Sequence, residues 1–217
     1  MKSTRFSILM TMLVTLVASG LATDQLAKKL DDNVIKAYSG NGLNAPMCAT
    51  AGKLTEQRVR LQNGTGGYIA ANIGKGGKNT DLIDVNTKRE LGVSSFGDKL
   101  KPGELLIFDR LVIEHTTNST AGTSVKDVTG WSKSLPEELK NAEIEISTNG
   151  KVVFKGFIGE INDAQNNADK PYYQLFDPAY LLDDKEWQVT IKMPKQFTDT
   201  NDHYVRVVMS GATTYIG

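Results

Sequence analysis

Apolar and polar residues alternate along this chain at two different periods. From Leu54 onward the period is two, the signature of strands with one buried face. The segments "TEQRVRLQ" (55–62) and "GYIAANIG" (67–74) read as short strands separated by the turn signal "NGTGG". "LLIFDRLVIEH" (105–115) is apolar apart from Asp109, Arg110, Glu114 and His115, as expected of a strand covered on both faces. "NAEIEIST" (141–148) places Ala142, Ile144 and Ile146 on one side and Glu143, Glu145 and Ser147 on the other. Asn149-Gly150 then supplies a hairpin turn, and "KVVFKGFIGEI" (151–161) returns. "YYQLFDPAYLLDD" (172–184) reads as a strand broken at Pro178, which suits an edge or a bend. Trp187, Val189, Ile191 and Met193 share one face of the next strand, and Val205, Val207 and Met209 share one face of its partner. A single short helix is predicted here, in "LPEELKNA" (135–142), with Pro136 placed for its first turn.

The first 45 residues follow a different rule. Lys2 and Arg5 precede an apolar run from Phe6 to Ala22 that ends in small residues, with Gly20-Leu21-Ala22 a possible cleavage site, the grammar of a secretory signal peptide. The run is also at the lower limit of length for crossing a hydrocarbon core of about 30 Å. In "TDQLAKKLDDNVIKAY" (23–38) Leu26, Leu30, Val34 and Tyr38 recur at steps of four, so an amphipathic helix is expected, capped by Thr23 or Asp24. Residues 1–45 are therefore a cleaved signal, a retained membrane-associated anchor or a buried soluble helix, and the pattern leaves the three open.

Together these elements predict one all-β domain over residues 54–217. About eight strands are joined by loops as long as "TTNSTAGTSVKDVTGWSKS" (116–134), with no βαβ rhythm to suggest a parallel sheet. An antiparallel, eight-stranded, jelly-roll-like sandwich fits the strand count best. An immunoglobulin-like sandwich fits less well, because about 100 residues usually suffice for it.

Composition narrows the function classes. Lys and Arg number 25, matched by 25 Asp and Glu, and no basic tract stands out, so sequence-specific nucleic-acid binding is not expected. Cys48 is the single cysteine, which excludes an intrachain disulfide and a cysteine-based zinc cluster; it is read as a small buried residue. The glycine-rich "NGTGGYIAANIGKGGKNTD" (63–81) lacks the Lys-Ser/Thr ending of a phosphate loop, since Asn79 follows Lys78, and it leads into strand rather than helix. His115 and His203 each lack a second imidazole at metal-ligand spacing and are read as surface or rim residues. Asp199 and Asp202 beside His203 lack calcium-loop spacing. Asp183-Asp184 reads as a solvated turn, and no G-x-S-x-G elbow is present. The sequons at Asn63 and Asn118 matter only in a eukaryotic secretory setting. No catalytic, cofactor-binding or metal site is expected, and the loop 195–203 is expected to be packing alone.

Two stretches carry a resemblance. "TKRELGVSSFGDKLKPGELLIFDRLVIEH" (87–115) resembles the lead into the first core strand of jelly-roll capsid proteins of tailless icosahedral bacteriophages, with its "F-D-R-L" strand. "YQLFDPAYLLDDKEWQVTIKMPKQFTDTNDHYVRVVMSG" (173–211) is similar in the same way: "D-P-x-x-L", a "W-x-V-x-I" strand, a polar loop, and a last strand ending in a small residue and glycine. The resemblance covers roughly residues 87–217. It implies a non-catalytic virion protein that associates with copies of itself in a symmetric shell and with other virion proteins. Residues 6–22 are then available for a lipid membrane. The alternative expectation is an exported bacterial envelope sandwich with a binding or adhesive role, in the periplasm or at the cell surface. A secreted hydrolase with an unrecognised site is a third reading.

Overall fold

The computed structural model describes residues 59–101, 104, 106–182 and 184–216. The N-terminal expectations for residues 1–45, and Cys48, lie outside the described residues. Eight strands run in chain order: β1 (Val59–Gly74), β2 (Thr80–Asp81), β3 (Leu106–Asn118), β4 (Glu143–Thr148), β5 (Lys151–Phe157), β6 (Tyr173–Leu181), β7 (Trp187–Lys192) and β8 (Asp202–Ile216). Two short helices interrupt them, α1 (Glu137–Lys140) and α2 (Ile158–Gln165). The strands form two four-stranded sheets ordered β1-β8-β3-β6 and β2-β7-β4-β5, and every pairing is antiparallel. Among the described residues no helix is long and apolar enough to cross a membrane.

Alternation decides what each sheet buries. Trp187, Val189 and Ile191 of β7 point inward, as do Val205, Val207 and Met209 of β8, and Met193 just beyond β7 joins them. Ile69 of β1, Leu111 and Ile113 of β3, and Ile144 and Ile146 of β4 complete one core drawn from both sheets. Each such side chain removed from water stabilises the fold by about 1.5–3 kcal/mol. The Trp187 indole satisfies its one polar atom by donating from Nε1 to the Gly97 carbonyl at 2.7 Å.

The count of eight is reached by a different division from the one the sequence suggests. The two strands expected at 55–62 and 67–74 are one strand where they are described, because "NGTGG" forms a bulge instead of a turn. Between Asn63↔Ala212 and Gly66↔Ser210, β1 advances three residues while β8 advances two. Glycine is required there: a Cβ on Gly66 would stand 2.1 Å from the Met209 carbonyl oxygen. The eighth strand is instead the two-residue β2, too short to leave an alternating pattern.

The strand expected over 151–161 stops at Phe157. Ile158, Ile161 and Gln165 are buried at helical spacing, so the chain turns into α2 and seals one flank of the core. β6 lies at the edge of its sheet, as Pro178 suggested. Between Phe108↔Ala179 and Arg110↔Gln174, β3 advances two residues and β6 five, so the segment around Phe176 and Pro178 is thrown out of register.

β6 accompanies β3 only as far as Leu111. Beyond that point the α2 side chain of Gln165 takes over, its Oε1 accepting from Ile113 N at 2.8 Å and its Nε2 donating to Ile113 O at 2.7 Å. The same amide donates to Lys133 O at 2.6 Å. Farther along, Ser132 exchanges both backbone hydrogen bonds with His115, each 2.9 Å. The border of β3 is thus completed by a strand, a side chain and a loop in succession.

Two measurements check this account. Gln165→Leu keeps roughly the same volume but strands the buried N–H and C=O of Ile113, while Lys133 O keeps Asn166 Nδ2, so urea unfolding should show a loss of about 2 kcal/mol or more. Val189→Asp buries an unpaired charge and should cost several kcal/mol, whereas Gln188→Lys on the outward face should stay within about 0.5 kcal/mol. Thr190 is a poor control for that comparison, since its hydroxyl donates to Asp81 Oδ1 at 2.6 Å.

Candidate functional site

The same alternation that builds the core carries two imidazoles into it. On β3 the inward series Leu111, Ile113 continues to His115, and on β8 the inward series Met209, Val207, Val205 continues back to His203. The register pairs His115 with Val205 and Thr117 with His203, making the two histidines diagonal neighbours on the inner face of one sheet. His203 is 2% exposed and His115 is 9% exposed. The expectation that both are surface or rim residues is therefore wrong. Its signal was present in the sequence, because each histidine has the parity of the apolar residues beside it.

The two rings touch. His115 Nε2 lies 3.0 Å from His203 Nδ1, and His203 Nε2 lies 2.8 Å from Asp199 Oδ1. Asp199 belongs to the β7–β8 connection, residues 193–201, which closes one end of the sandwich. That loop holds on through Phe197, whose ring stacks on His203 with centroids 3.5 Å apart and planes 5° apart. Phe197 N donates to Lys75 O at 2.9 Å, Gln196 Nε2 donates to Gly76 O at 3.0 Å, and Lys75 Nζ donates to Asp199 O. Asp202 opens β8 and accepts from Asn72 Nδ2 at 3.1 Å and from Gly122 N at 2.9 Å. The loop expected to be packing alone is packed through a chain of ionisable groups.

Protonation of this chain follows from its donors and acceptors. A carboxylate only accepts, so His203 carries hydrogen on Nε2. In the uncharged pair His203 Nδ1 then accepts from His115 Nε2–H. Burial, with the neighbouring His203 adding to it, pushes His115 down from 6.5 to about 4, and Asp199 opposes the shift. The His203 hydrogen bond holds the Asp199 carboxyl below its ordinary value. Backbone donation from Gly122, with Asn72 behind it, does the same for Asp202.

Asp199 and His115 lie on opposite sides of the His203 ring, so the three do not converge on one point. Among the described residues no three of His, Cys, Asp and Glu are placed to hold a metal ion. The array can pass a proton from the surface at Asp199 to the core end at His115. The other residues singled out in the sequence are not brought to it. Asp184 occupies a left-handed turn position at φ 51°, while Asp183 lies outside the described residues. Lys78 and Asn79 sit in the exposed turn before β2, and Asn118 closes β3 with its side chain turned to Thr120 N at 2.8 Å. A cleft of about 440 Å³, open to solvent, runs between β1 and residues 82–93 and is lined by Ala71, Asn72, Leu82, Lys88 and Glu90 among others.

Comparison with known proteins finds no family model, curated protein or solved structure that this chain matches.

The pH dependence of stability follows in sign. His115 has a folded value below its unfolded one, so between pH 6.5 and about 4 the unfolded chain binds the extra proton. Stability should therefore fall as pH drops through that window, by up to roughly 3 kcal/mol. Asp199 contributes stability above its unfolded value and loses it only as pH falls through its lower folded value. Urea titrations from neutral pH to about pH 4.5 should show this slope, and His115→Gln should flatten it.

Proposed function

We propose that this chain is a jelly-roll subunit of a virion shell, joining copies of itself by side-chain contacts and doing no catalysis. The observation that carries the reading is the order of strand pairing. The first strand pairs with the eighth, the second with the seventh, the third with the sixth and the fourth with the fifth. Successive pairs alternate between the two sheets. That order supports a jelly-roll reading, one long hairpin rolled up, the arrangement known in viral capsid and lectin domains. The stretches that carry the resemblance to phage capsid proteins overlap β3, β6, β7 and β8.

Function belongs to surfaces and sites, not to folds, so the contacts matter. Phe176 is 84% exposed on the bulge of edge strand β6, and Leu91 is 91% exposed on the β2–β3 connection. Isolated apolar residues on a surface are ordinary; here they are the positions at which neighbour contact is to be tested. Residues 6–22 supply an apolar segment for a lipid layer within or beneath such a shell. In this reading the protein resides in the virion. The alternative, an exported envelope sandwich with a binding role, draws on the same segment as a cleaved signal.

Full-length protein purified in mild detergent should form large homo-oligomers in sedimentation and electron microscopy. Phe176→Asp or Leu91→Asp should reduce assembly without lowering the unfolding midpoint by more than a degree or two, since surface changes stay within about 0.5 kcal/mol. A species that stays monomeric at every concentration, with a mature N-terminus near Thr23, would overturn the shell reading in favour of export.

A further inference from the structure

The β7–β8 loop is fastened at its centre to a pair of histidines that share one hydrogen bond. Met193 anchors the start of the loop in the core, and beyond it two contacts hold the centre of the loop, both ending on His203: the Phe197 stack and the Asp199 hydrogen bond. His203 is in turn held by His115. Phe197 also stacks on His115 at 5.8 Å, and hydrogen bonds tie the loop to the short turn after β1, from Met193 N, Phe197 N and Gln196 to the carbonyls of Gly77, Lys75 and Gly76, and from the Lys75 ammonium to Asp199 O.

The pair tolerates one added proton and not two. With none or one, a single hydrogen lies between His115 Nε2 and His203 Nδ1, and the link survives. With two, both nitrogens carry hydrogen across a 3.0 Å gap, the link is lost, and two cations face each other in the core end. The charged groups around them are few. Asp199 approaches from the loop, Asp202 from the start of β8, and Lys75 from the turn after β1. Glu114 and Arg206 on β3 and β8 pair with each other on the opposite face of the sheet, with Trp131 over the guanidinium at 4.6 Å. Asp199 offsets one imidazolium; nothing comparable faces His115.

We infer that His115 and His203 form an acid-operated latch. Uncharged or singly protonated they hold residues 193–201 against the end of the sandwich, and taking up a second proton releases that loop while both sheets stay paired. The sheets remain because their hydrogen bonds and core side chains do not pass through the histidines, whereas Phe197 leaves with the loop and opens a path for water to both rings. Asp199 and Asp202 are both held below the ordinary carboxylate value, so they are still anions when His115 takes its proton. The latch is a property of the fold and does not depend on what the sandwich assembles with.

Hydrogen–deuterium exchange on the full-length chain, corrected for the chemical rate at each pH, tests it. Peptides covering 193–201 should lose protection by on the order of 50-fold between neutral pH and about pH 4.5, the ratio expected for one imidazole that titrates near 4 when closed and 6.5 when open. Peptides covering 204–209 should stay protected throughout. His115→Gln keeps a donor to His203 Nδ1 but cannot charge, and should move the opening down by about one pH unit or more. Asp199→Asn removes the one anion hydrogen-bonded to the imidazole pair, so the closed form holds protons less well and the opening should move to higher pH. Phe197→Ala should leave the loop unprotected even at neutral pH. A loop that stays protected to pH 4, a loop and β8 that lose protection together, or an unchanged midpoint in both His115→Gln and Asp199→Asn would each overturn the latch.

Discussion

β8 lies between β1 and β3, and without it the sheet they share has no middle. Its backbone pairs with Val59–Gly74 on one side and Leu106–Asn118 on the other, so the final strand is the interior of its sheet and the first strand is an edge. Every one of those contacts spans most of the described chain. The entropy of closing such loops must be met before any of the pairings contributes, which makes slow folding the expected behaviour of this topology. The bulge at Asn63–Gly66 belongs to the same constraint. It lets β1 follow a twisted central strand without losing the alternation that keeps Ile69 and Ile73 inside, and only glycine permits the approach to Met209 O.

Much of this was legible before any coordinates, and the failures share a cause. Alternation placed Trp187, Val189, Ile191 and Met193, and equally Val205, Val207 and Met209, because side-chain period is a property of one strand alone. What could not be read was anything decided between strands. "NGTGG" has turn composition, and only the presence of β8 alongside makes a bulge of it. "FIGEI" reads as the continuation of a strand, and the helix that replaces it covers the flank of β3 that β6 leaves open. β2 is two residues long and exists because β7 has an edge to offer.

The histidines are the instructive case. Each stands at the end of a strand with no second imidazole at metal-ligand spacing, which suggests a rim residue, yet its parity places it with the core. Their separation along the chain hid their contact across it. The result is a sandwich whose middle is sealed by hydrocarbon and whose end is sealed by a stacked ring and a file of hydrogen bonds from Asp199 to His115. The two seals respond to different variables. Hydrocarbon packing is indifferent to proton concentration, and a hydrogen-bonded imidazole pair is not.

Gln165 gives the sheet a border of an unusual kind. A strand laid beside β3 at Ile113 would satisfy its backbone and then present a fresh row of donors and acceptors on its own far side, moving the open edge outward. A carboxamide satisfies the same two groups and ends there, because it has no backbone beyond it to offer. With Ser132 closing the next position, the middle of β3 is finished without being extended. A foreign chain in extended form therefore finds no template along that stretch, and the sheet cannot grow there by strand addition as fibrils do. What that stretch of β3 offers to its surroundings is side chains, whose fit is particular, rather than free backbone, which would accept almost any sequence.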